Sequence, residues 1–423
     1  MKDPGPADRG AAAQAAAAAF REHWARAVGA LWRRFGDPDL AEESVQEAFT
    51  RAAARWPDEG VPAEPAAWVI ATAGNVALDR LRRDRTLASK LPQLDQPGVE
   101  PAPGLPDDGL PDDRLELIFA CCHPALATEA QVALTLRLAG GLSTPEIARA
   151  FLVSEPVMAQ RLVRAKRRLR VAGIGLRESP SPVLPERLDQ VMAVLYLIFN
   201  EGYAASSGDS PVRHDLCGEA IRLARILASL LPGEPEPAGL AALMLFHHAR
   251  TSARIGVDGV PVMLDDQDRR LWDGNLIAQG EALLRGAADA AWVGGYCLQG
   301  AIAREHVRAA TAADTDWRAI ATLYADLAAV APSPVVDLNR AVAISMSEGP
   351  EDGLLLVDRL VDQGALVGYH LLPAARADML RRLGRSAEAL AEYRRALELA
   401  LGGADRVFLV RRCAEMQAVV GAN

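Results

Sequence analysis

The sequence predicts an all-α protein of several domains, and three observations carry that expectation. Alanine is abundant while β-branched and aromatic runs are sparse, with aromatics at 5% of the 423 residues, so helix propensity prevails along the chain. Apolar residues recur at spacings of three and four rather than alternating, the pattern of a single buried helix face. Towards the C-terminus the pattern repeats, 335–368 and then 369–402, each segment about 34 residues long, the size of one helix-turn-helix repeat unit. Half of the residues are hydrophobic, enough for more than one core, and the length exceeds what one domain usually holds.

Residues 1–10 are polar and proline-rich and are expected to form a disordered arm, followed by a first module over 11–90. Within it, 37–49 (DPDLAEESVQEAF) reads as an acidic amphipathic helix. Leu40, Val45, Ala48 and Phe49 face the core; Glu42, Glu43, Gln46 and Glu47 face solvent, with Asp39 at the start. The stretch from Arg55-Trp56-Pro57 to Pro65 is expected to be a loop. A second helix, 65–84 (PAAWVIATAGNVALDRLRRD), has Trp68, Ile70, Val76, Leu78 and Leu81 on its apolar side. It presents Asn75, Asp79, Arg80, Arg82 and Arg83, with Arg85 following. Residues 91–113 are rich in Pro, Gly and Asp and read as an extended linker.

A second module, 114–175, contains LSTPEIARAFLVSEPVMAQRLVRAKRRLR at 142–170. Ser143 with Glu146 forms a capping box for one helix, and Leu152-Val153-Ser154 makes a turn from which Ser154 caps the next. In that second helix Met158, Leu162, Ala165 and Leu169 form the core face. Glu155, Pro156, Ala159, Gln160, Val163, Arg164 and Arg167 look outward, with Arg161 beside them. A helix with an exposed start and a basic end fits a major groove between two phosphate backbones. A plain helical hairpin with a solvated basic end is the competing reading of this segment taken alone.

These three segments together are similar to an RNA polymerase sigma factor. The 142–170 segment resembles region 4, which reads the −35 promoter element; 37–49 and 65–84 resemble region 2. The resemblance implies that Asp39, Glu42, Glu43, Gln46 and Glu47 bind core polymerase. It implies that Trp68, Asn75, Asp79, Arg80, Arg82 and Arg83 engage the opened −10 element, where a basic track and polar or aromatic groups hold an unstacked base. Trp68 is equally well read as a core anchor. At the −35 element, Gln160 would lie near base edges and Arg161, Arg164 and Arg167 nearer phosphates. Nothing between the modules resembles region 3, which points to the compact extracytoplasmic-function class. Partners expected on this basis are core RNA polymerase and promoter DNA.

From 185 to 423 an α-helical extension is expected. Its first helix is nearly all apolar, 188–199, followed by a turn at Asn200-Glu201-Gly202-Tyr203; amphipathic helices are expected at 215–231 and 239–255. The two 34-residue segments carry helices at 354–361 and 387–399 and resemble tetratricopeptide repeats, which stack into a concave surface for a protein or peptide. The phrases FNEGYAASSG, DLCGEAIRLAR, LDDQDRRLWD, TDW and PSPVVDLNRAVA resemble the extension of a sigma-factor subfamily with such a C-terminal domain, which implies a regulatory role for it.

The net charge of −9 is unusual for a DNA-binding protein, but the basic residues cluster at 80–85 and 161–170, and phosphates respond to the local field. The five cysteines, Cys121, Cys122, Cys217, Cys297 and Cys413, have no metal-ligand or disulfide spacing. Adjacent Cys121 and Cys122 point about 100° apart on a helix and are expected to be buried rather than to chelate. Asp265, Asp266 and Asp268 are expected to cap a helix, and no phosphate loop, dinucleotide fingerprint or nucleophile elbow occurs. No enzymatic activity, metal or cofactor is therefore expected. The 11–19 alanine run lacks a cationic start and the 191–199 apolar run is too short for a bilayer, so a cytoplasmic protein is expected. The rival function is a helix-turn-helix transcription regulator with a repeat-type sensor domain, acting without polymerase; a repeat scaffold with incidental basic helices is a third. Neither needs a strand-opening helix.

Overall fold

The computed structural model describes residues 6–88, 113–151, 153–176, 184–204, 214–254, 262–287, 293–400 and 403–422. Among them are eighteen α-helices and no strand, so the all-α expectation holds. The helices form two compact units, residues 1–198 and 199–423.

In the first unit, α1 (Pro6–Phe35), α2 (Pro38–Glu59) and α3 (Pro65–Ala88) make a three-helix bundle. Trp24, Val28, Leu31 and Trp32 of α1 pack with Ala41, Val45, Phe49 and Trp56 of α2 and Val69, Ala73 and Val76 of α3, all buried. An aromatic cluster of Phe20, Trp24 and Phe49, with centroids 4.8 to 6.2 Å apart, fills one end. The Asp37 side chain starts α2 by accepting from the Asp39 and Leu40 amides at 2.8 and 3.3 Å, ahead of Pro38 in the first turn. The expected loop from Arg55 begins later. The helix continues through Pro57 to Glu59 because Trp56 is drawn into the core, edge-on to Trp68 at 5.6 Å. Gly60 ends it at φ 87°, a left-handed conformation that glycine adopts without a Cβ clash.

Helices α4 (Asp113–Cys121), α5 (Thr128–Leu134), α6 (Thr144–Ala150) and α7 (Glu155–Val171) follow, with a π-helical stretch at Thr135–Ala139. The predicted capping box at Ser143 and Glu146 is present in both directions. Ser154 occupies the cap position of α7, but its side chain makes no capping hydrogen bond, so that expectation is corrected. Met158, Leu162, Ala165 and Leu169 are buried as the spacing required. This second module packs directly on the first. Trp24 Nε1 donates to Leu138 O at 3.0 Å, Arg33 pairs with Glu116 at 2.9 Å, and Gly141 (φ 76°) lies so close that a Cβ would sit 3.0–3.2 Å from the Phe20 and Trp24 rings.

The start of α8 (Leu184–Ala204) continues this packing: Arg187 donates to Phe119 O at 2.7 Å and lies over the Phe119 ring. Gln190 donates to Oε1 of buried Gln131 at 2.9 Å, and the Gln131 amide nitrogen in turn reaches the His123 and Leu126 carbonyls. Cys121 and Cys122 are buried; burial pushes the Cys122 thiol up to about 12. Such thiols are inert at neutral pH.

The second unit holds α9 (His214–Leu230), α10 (Pro235–Ala249), α11 (Gly274–Ala287), α12 (Gly295–Arg308) and α13 (Trp317–Val330). The Asn200-Glu201-Gly202-Tyr203 segment is the last turn of α8 rather than a separate corner, with Tyr203 stacked on Phe199 at 5.4 Å. The helix expected at 239–255 stops at Ala249, and instead of one apolar face it is buried almost all round, Leu240 to Phe246 being enclosed. It is the axis of this unit, packed by α9, α11 and α12. Close approach requires glycine at two points: a Cβ on Gly239 would fall 2.5 Å from Cys297 N, and one on Gly280 would fall 2.7 Å from the Phe246 ring. Glu236, buried in the first turn of α10, accepts from the Gly294, Tyr296 and Cys297 amides at 2.8–3.1 Å and so caps α12 from outside.

The 34-residue period becomes two helix pairs, α14 (Pro334–Ser347) with α15 (Pro350–Asp362) and α16 (Leu371–Arg382) with α17 (Ser386–Leu399), closed by α18 (Gly403–Ala422). Leu338, Ala341, Leu354, Val357, Leu372, Ala377, Leu380, Ala389, Tyr393 and Ala396 share one core. Gly353 lets α15 sit on α14, since a Cβ there would meet Ser345 Cβ at 2.4 Å. Of the three acids expected to cap a helix, Asp268 caps a short 3-10 turn through the Arg270 amide, whereas Asp265 and Asp266 lie within the preceding 3-10 turn.

Candidate polymerase and promoter interface

Three helix faces carry the residues singled out in the sequence, and the first unit arranges them differently from what periodicity implies. On α2, Glu43 and Gln46 are exposed and Glu47 pairs with Arg51 one turn on at 3.0 Å. Glu42, expected to face solvent, is instead 4% exposed. The reason is charge compensation across the modules. Lys166 Nζ of α7 lies 2.5 Å from Glu42 Oε2 and 2.8 Å from Asp39 Oδ1; Arg137 Nε lies 2.5 Å from Glu42 Oε1. Arg170 adds contacts at 3.0 Å to Asp39 and 3.3 Å to Asp37. Burial pulls the Lys166 ammonium down, but Glu42 and Asp39 outweigh it and the group titrates above its ordinary value.

Lys166, Arg137 and Arg170 are not among the residues that the sequence pattern singles out. The signal was present for one of them: Lys166 follows Leu162 by four and Ala165 by one, placing a cation in the apolar stripe of α7, where only a buried carboxylate partner makes it tolerable.

On α3, Asn75, Asp79, Arg82 and Arg83 are exposed, with Arg82 3.6 Å from Asp79. Arg80 is half-buried and ion-paired to Glu43 of α2, joining an expected −10 contact to an expected polymerase contact. Trp68 is half-buried against Trp56, which fits its reading as an anchor of the α2–α3 packing. The side chain of Arg85 lies outside the described residues.

On α7, Glu155, Pro156, Gln160, Val163, Arg164 and Arg167 are exposed, Val163 at 59%. Ala159 and Arg161 are half-buried, the latter with its guanidinium 5.6 Å from the Phe151 ring centre. The helix has 17 residues, about 25 Å at ~1.5 Å per residue, a length that fits along a major groove. Its outer surface combines a polar start with Arg161, Arg164, Arg167 and Arg168, while Lys166 and Arg170 are turned to the carboxylates of α2 and its cap. Glu155 in the first turn is an acid that suits the helix dipole.

No helix among the described residues is long and apolar enough to cross a membrane.

The three-helix bundle and the capped helix-turn-helix coincide with two known sequence families. Residues 19–86 match sigma-70 region 2 and residues 116–169 match sigma-70 region 4; residues 187–288 match a family of unknown function, DUF6596. In these two sigma-70 matches the chain is similar to sigma factors of the extracytoplasmic-function type, which serve promoter-specific initiation of transcription. It is of one family with an uncharacterised protein of Rhizobium meliloti (strain 1021), 44% identical over 389 residues, which span 91% of this chain and 92% of that protein. No solved structure matches the chain.

Proposed function

We propose that the chain is a dissociable promoter-specificity subunit whose region 2 docks core RNA polymerase and opens the −10 element while region 4 reads the −35 element. The C-terminal unit is proposed to regulate that activity through a protein or peptide partner, in the manner of the sigma-factor subfamily with a tetratricopeptide-like extension. The observation that carries the reading is the ordered pair of matches, region 2 then region 4, each with an outward basic helix. A conventional helix-turn-helix regulator needs the second module and not the first.

In this reading Asp39, Glu42, Glu43, Gln46 and Glu47 meet polymerase. Asn75, Asp79, Arg80, Arg82, Arg83 and Trp68 serve the opened −10 strand. Gln160 sits near −35 base edges, Arg161, Arg164 and Arg167 near phosphates, and Glu155, Pro156, Ala159 and Val163 complete that surface. The protein acts in the cytoplasm, and the polymerase performs the chemistry. The test is run-off transcription with purified core polymerase on the DNA upstream of this chain's own gene. Discrete transcripts that depend on the chain are expected; binding to that DNA without polymerase, and no new transcript with it, would replace the proposal with the conventional regulator.

A further inference from the structure

We infer that the second unit binds a phosphoryl group on a platform made by Arg250, Arg269 and Trp272. This gives the proposed regulation a small-molecule input. It stands apart from the sigma-factor reading, because binding is measured on the chain alone.

Trp272 is the hub. It follows a 3-10 turn and is 8% exposed, and its Nε1–H is buried without an acceptor among the described residues. The Arg269 guanidinium lies over its ring, with the central carbon 4.6 Å from the ring centre, and that of Arg250 lies at 5.7 Å. Arg269 uses Nη1 to hold the His306 and Ala309 carbonyls at the end of α12, at 2.8 and 2.6 Å. Its Nη2 is buried and has no acceptor among the described residues. Two donors on stacked groups are thus unspent, where folded proteins almost always pair such groups.

Arg250 supplies a fork. Its Nε donates to Gln267 Oε1 at 3.3 Å, and buried Gln267 is itself anchored, its Nε2 donating to Val262 O at 3.1 Å. That contact sets the plane of the guanidinium. It leaves Nη1 and Nη2 without a partner among the described residues, the pair that meets two oxygens of one oxyanion side by side.

The platform is cationic and its counter-charge is weak. Arg254, over the Tyr203 ring at 3.7 Å, adds a third cation close by. Burial pulls the Arg250 guanidinium down; Tyr203 opposes this, and Arg254 and Arg269 add to the pull. His247 and His306 are brought down to about 3 and about 4, burial first, and stay neutral beside the arginines. Asp265 and Asp314 act on Arg269 from a distance, with no ion pair to it among the described residues. Asp314 is occupied by the Thr311 amide and hydroxyl, and burial, then Asp266, push the Asp265 carboxyl up. An anion with several oxygens offsets the desolvated cations and takes up the unspent donors together.

The donor count selects the anion. A carboxylate seated in the Arg250 fork has both oxygens engaged. Arg269 Nη2 and Trp272 Nε1 then suit the further oxygen that a phosphoryl group carries.

The test is isothermal titration calorimetry of the full chain, in chloride at constant ionic strength, with inorganic phosphate, glycerol 3-phosphate and acetate in turn. Saturable binding of phosphate or its ester is expected, at least about tenfold tighter than acetate. A tighter ester would assign the site to a phosphorylated metabolite and tighter phosphate to the free ion, both within the proposal. Arg250→Gln should weaken binding at least about tenfold. Arg394→Gln, the same loss of charge at an exposed position of α17, should leave it unchanged. If Arg250→Gln loses helix content by circular dichroism, Arg250→Lys decides instead, since it keeps the charge and removes the fork: weaker binding supports the platform and equal binding refutes it. No saturable phosphate or ester binding by the wild type, acetate binding as tightly, or equal losses in Arg394→Gln and Arg250→Gln would each overturn the proposal.

Discussion

Each unit holds one prominent group of buried or half-buried charges, and the two groups are held in different ways. In the first, Glu42 sits between Lys166 and Arg137, opposite charges meeting across two modules. In the second, one group of cations, Arg250, Arg254 and Arg269, gathers on rings, carbonyls and an amide. Arg269 donates to the His306 and Ala309 carbonyls and lies over Trp272; Arg254 lies 3.7 Å from the Tyr203 ring centre and donates to its carbonyl. Arg250 donates to Gln267, and His247 and His306 are enclosed beside these guanidinium groups. The difference teaches what each region is for. A pair of opposite charges can exchange partners, so it suits a contact that opens. Cations held on rings and carbonyls stay in place while the surrounding helices stay together, which suits a packed core.

The largest expected effect separates the DNA face of α7 from its inner face. Arg164→Glu with Arg167→Glu should lower promoter-directed transcription at least about a hundredfold, since reversing two groundward cations converts phosphate attraction into repulsion. Binding to core polymerase should be unchanged, and a gel-shift and pull-down on the same preparation check both. Equal transcription would show that the outward arginines do not meet DNA.

Next in size is the cap on α12. Glu236→Ala leaves three amides without their acceptor in a buried place and should cost the second unit about 3 kcal/mol, read by denaturant unfolding. A comparable loss in the first unit would contradict the division of the core.

Acid should discriminate the units as well. Burial first, then Arg250 and Arg254, bring His247 down to about 3; burial, then Arg250 and Arg269, bring His306 down to about 4. Their folded forms bind protons less readily than the unfolded chain, whose histidines titrate near ~6.5. Their contribution is therefore complete above about pH 6.5 and declines as pH falls from there towards 4, by about 1–2 kcal/mol per histidine at pH 5. His247→Gln should flatten that slope for the second unit, followed by calorimetry between pH 7 and 5.

The smallest effect contrasts two serines with the same predicted role. Ser143→Ala removes half of a capping box and should cost about 1 kcal/mol, whereas Ser154→Ala, with no capping bond to lose, should stay within about 0.5 kcal/mol. Equal losses would mean that Ser154 caps α7 in solution.

Legibility followed the range of the interaction. The Ser143–Glu146 box, the stripe of Met158, Leu162, Ala165 and Leu169, and the helices expected at 354–361 and 387–399 involve neighbours within a few turns, and all are legible in the sequence. The outward set on α7 was readable for the same reason. Glu42 was misplaced because its helical position is ambiguous, flanking the apolar stripe, and only a cation brought from another module decides its side. The end of α2 was misplaced because Pro57 signals a break that the burial of Trp56 overrides. Helix α10 was read as amphipathic because a helix surrounded by others has no solvent face to write into its pattern, and its glycines, Gly239 among them, record that crowding only once Cys297 is seen against it.

By itself, then, the sequence determined the all-α class and the order of the two modules that match sigma-70 regions 2 and 4, because caps and apolar spacing are properties of residues near one another in the chain. Tertiary structure alone decided that Lys166 meets Glu42, 124 positions away, and so which acids of α2 remain open to a partner. Pairing at that separation depends on how two finished modules pack, and the chain carries no local mark of it beyond one cation in an apolar stripe.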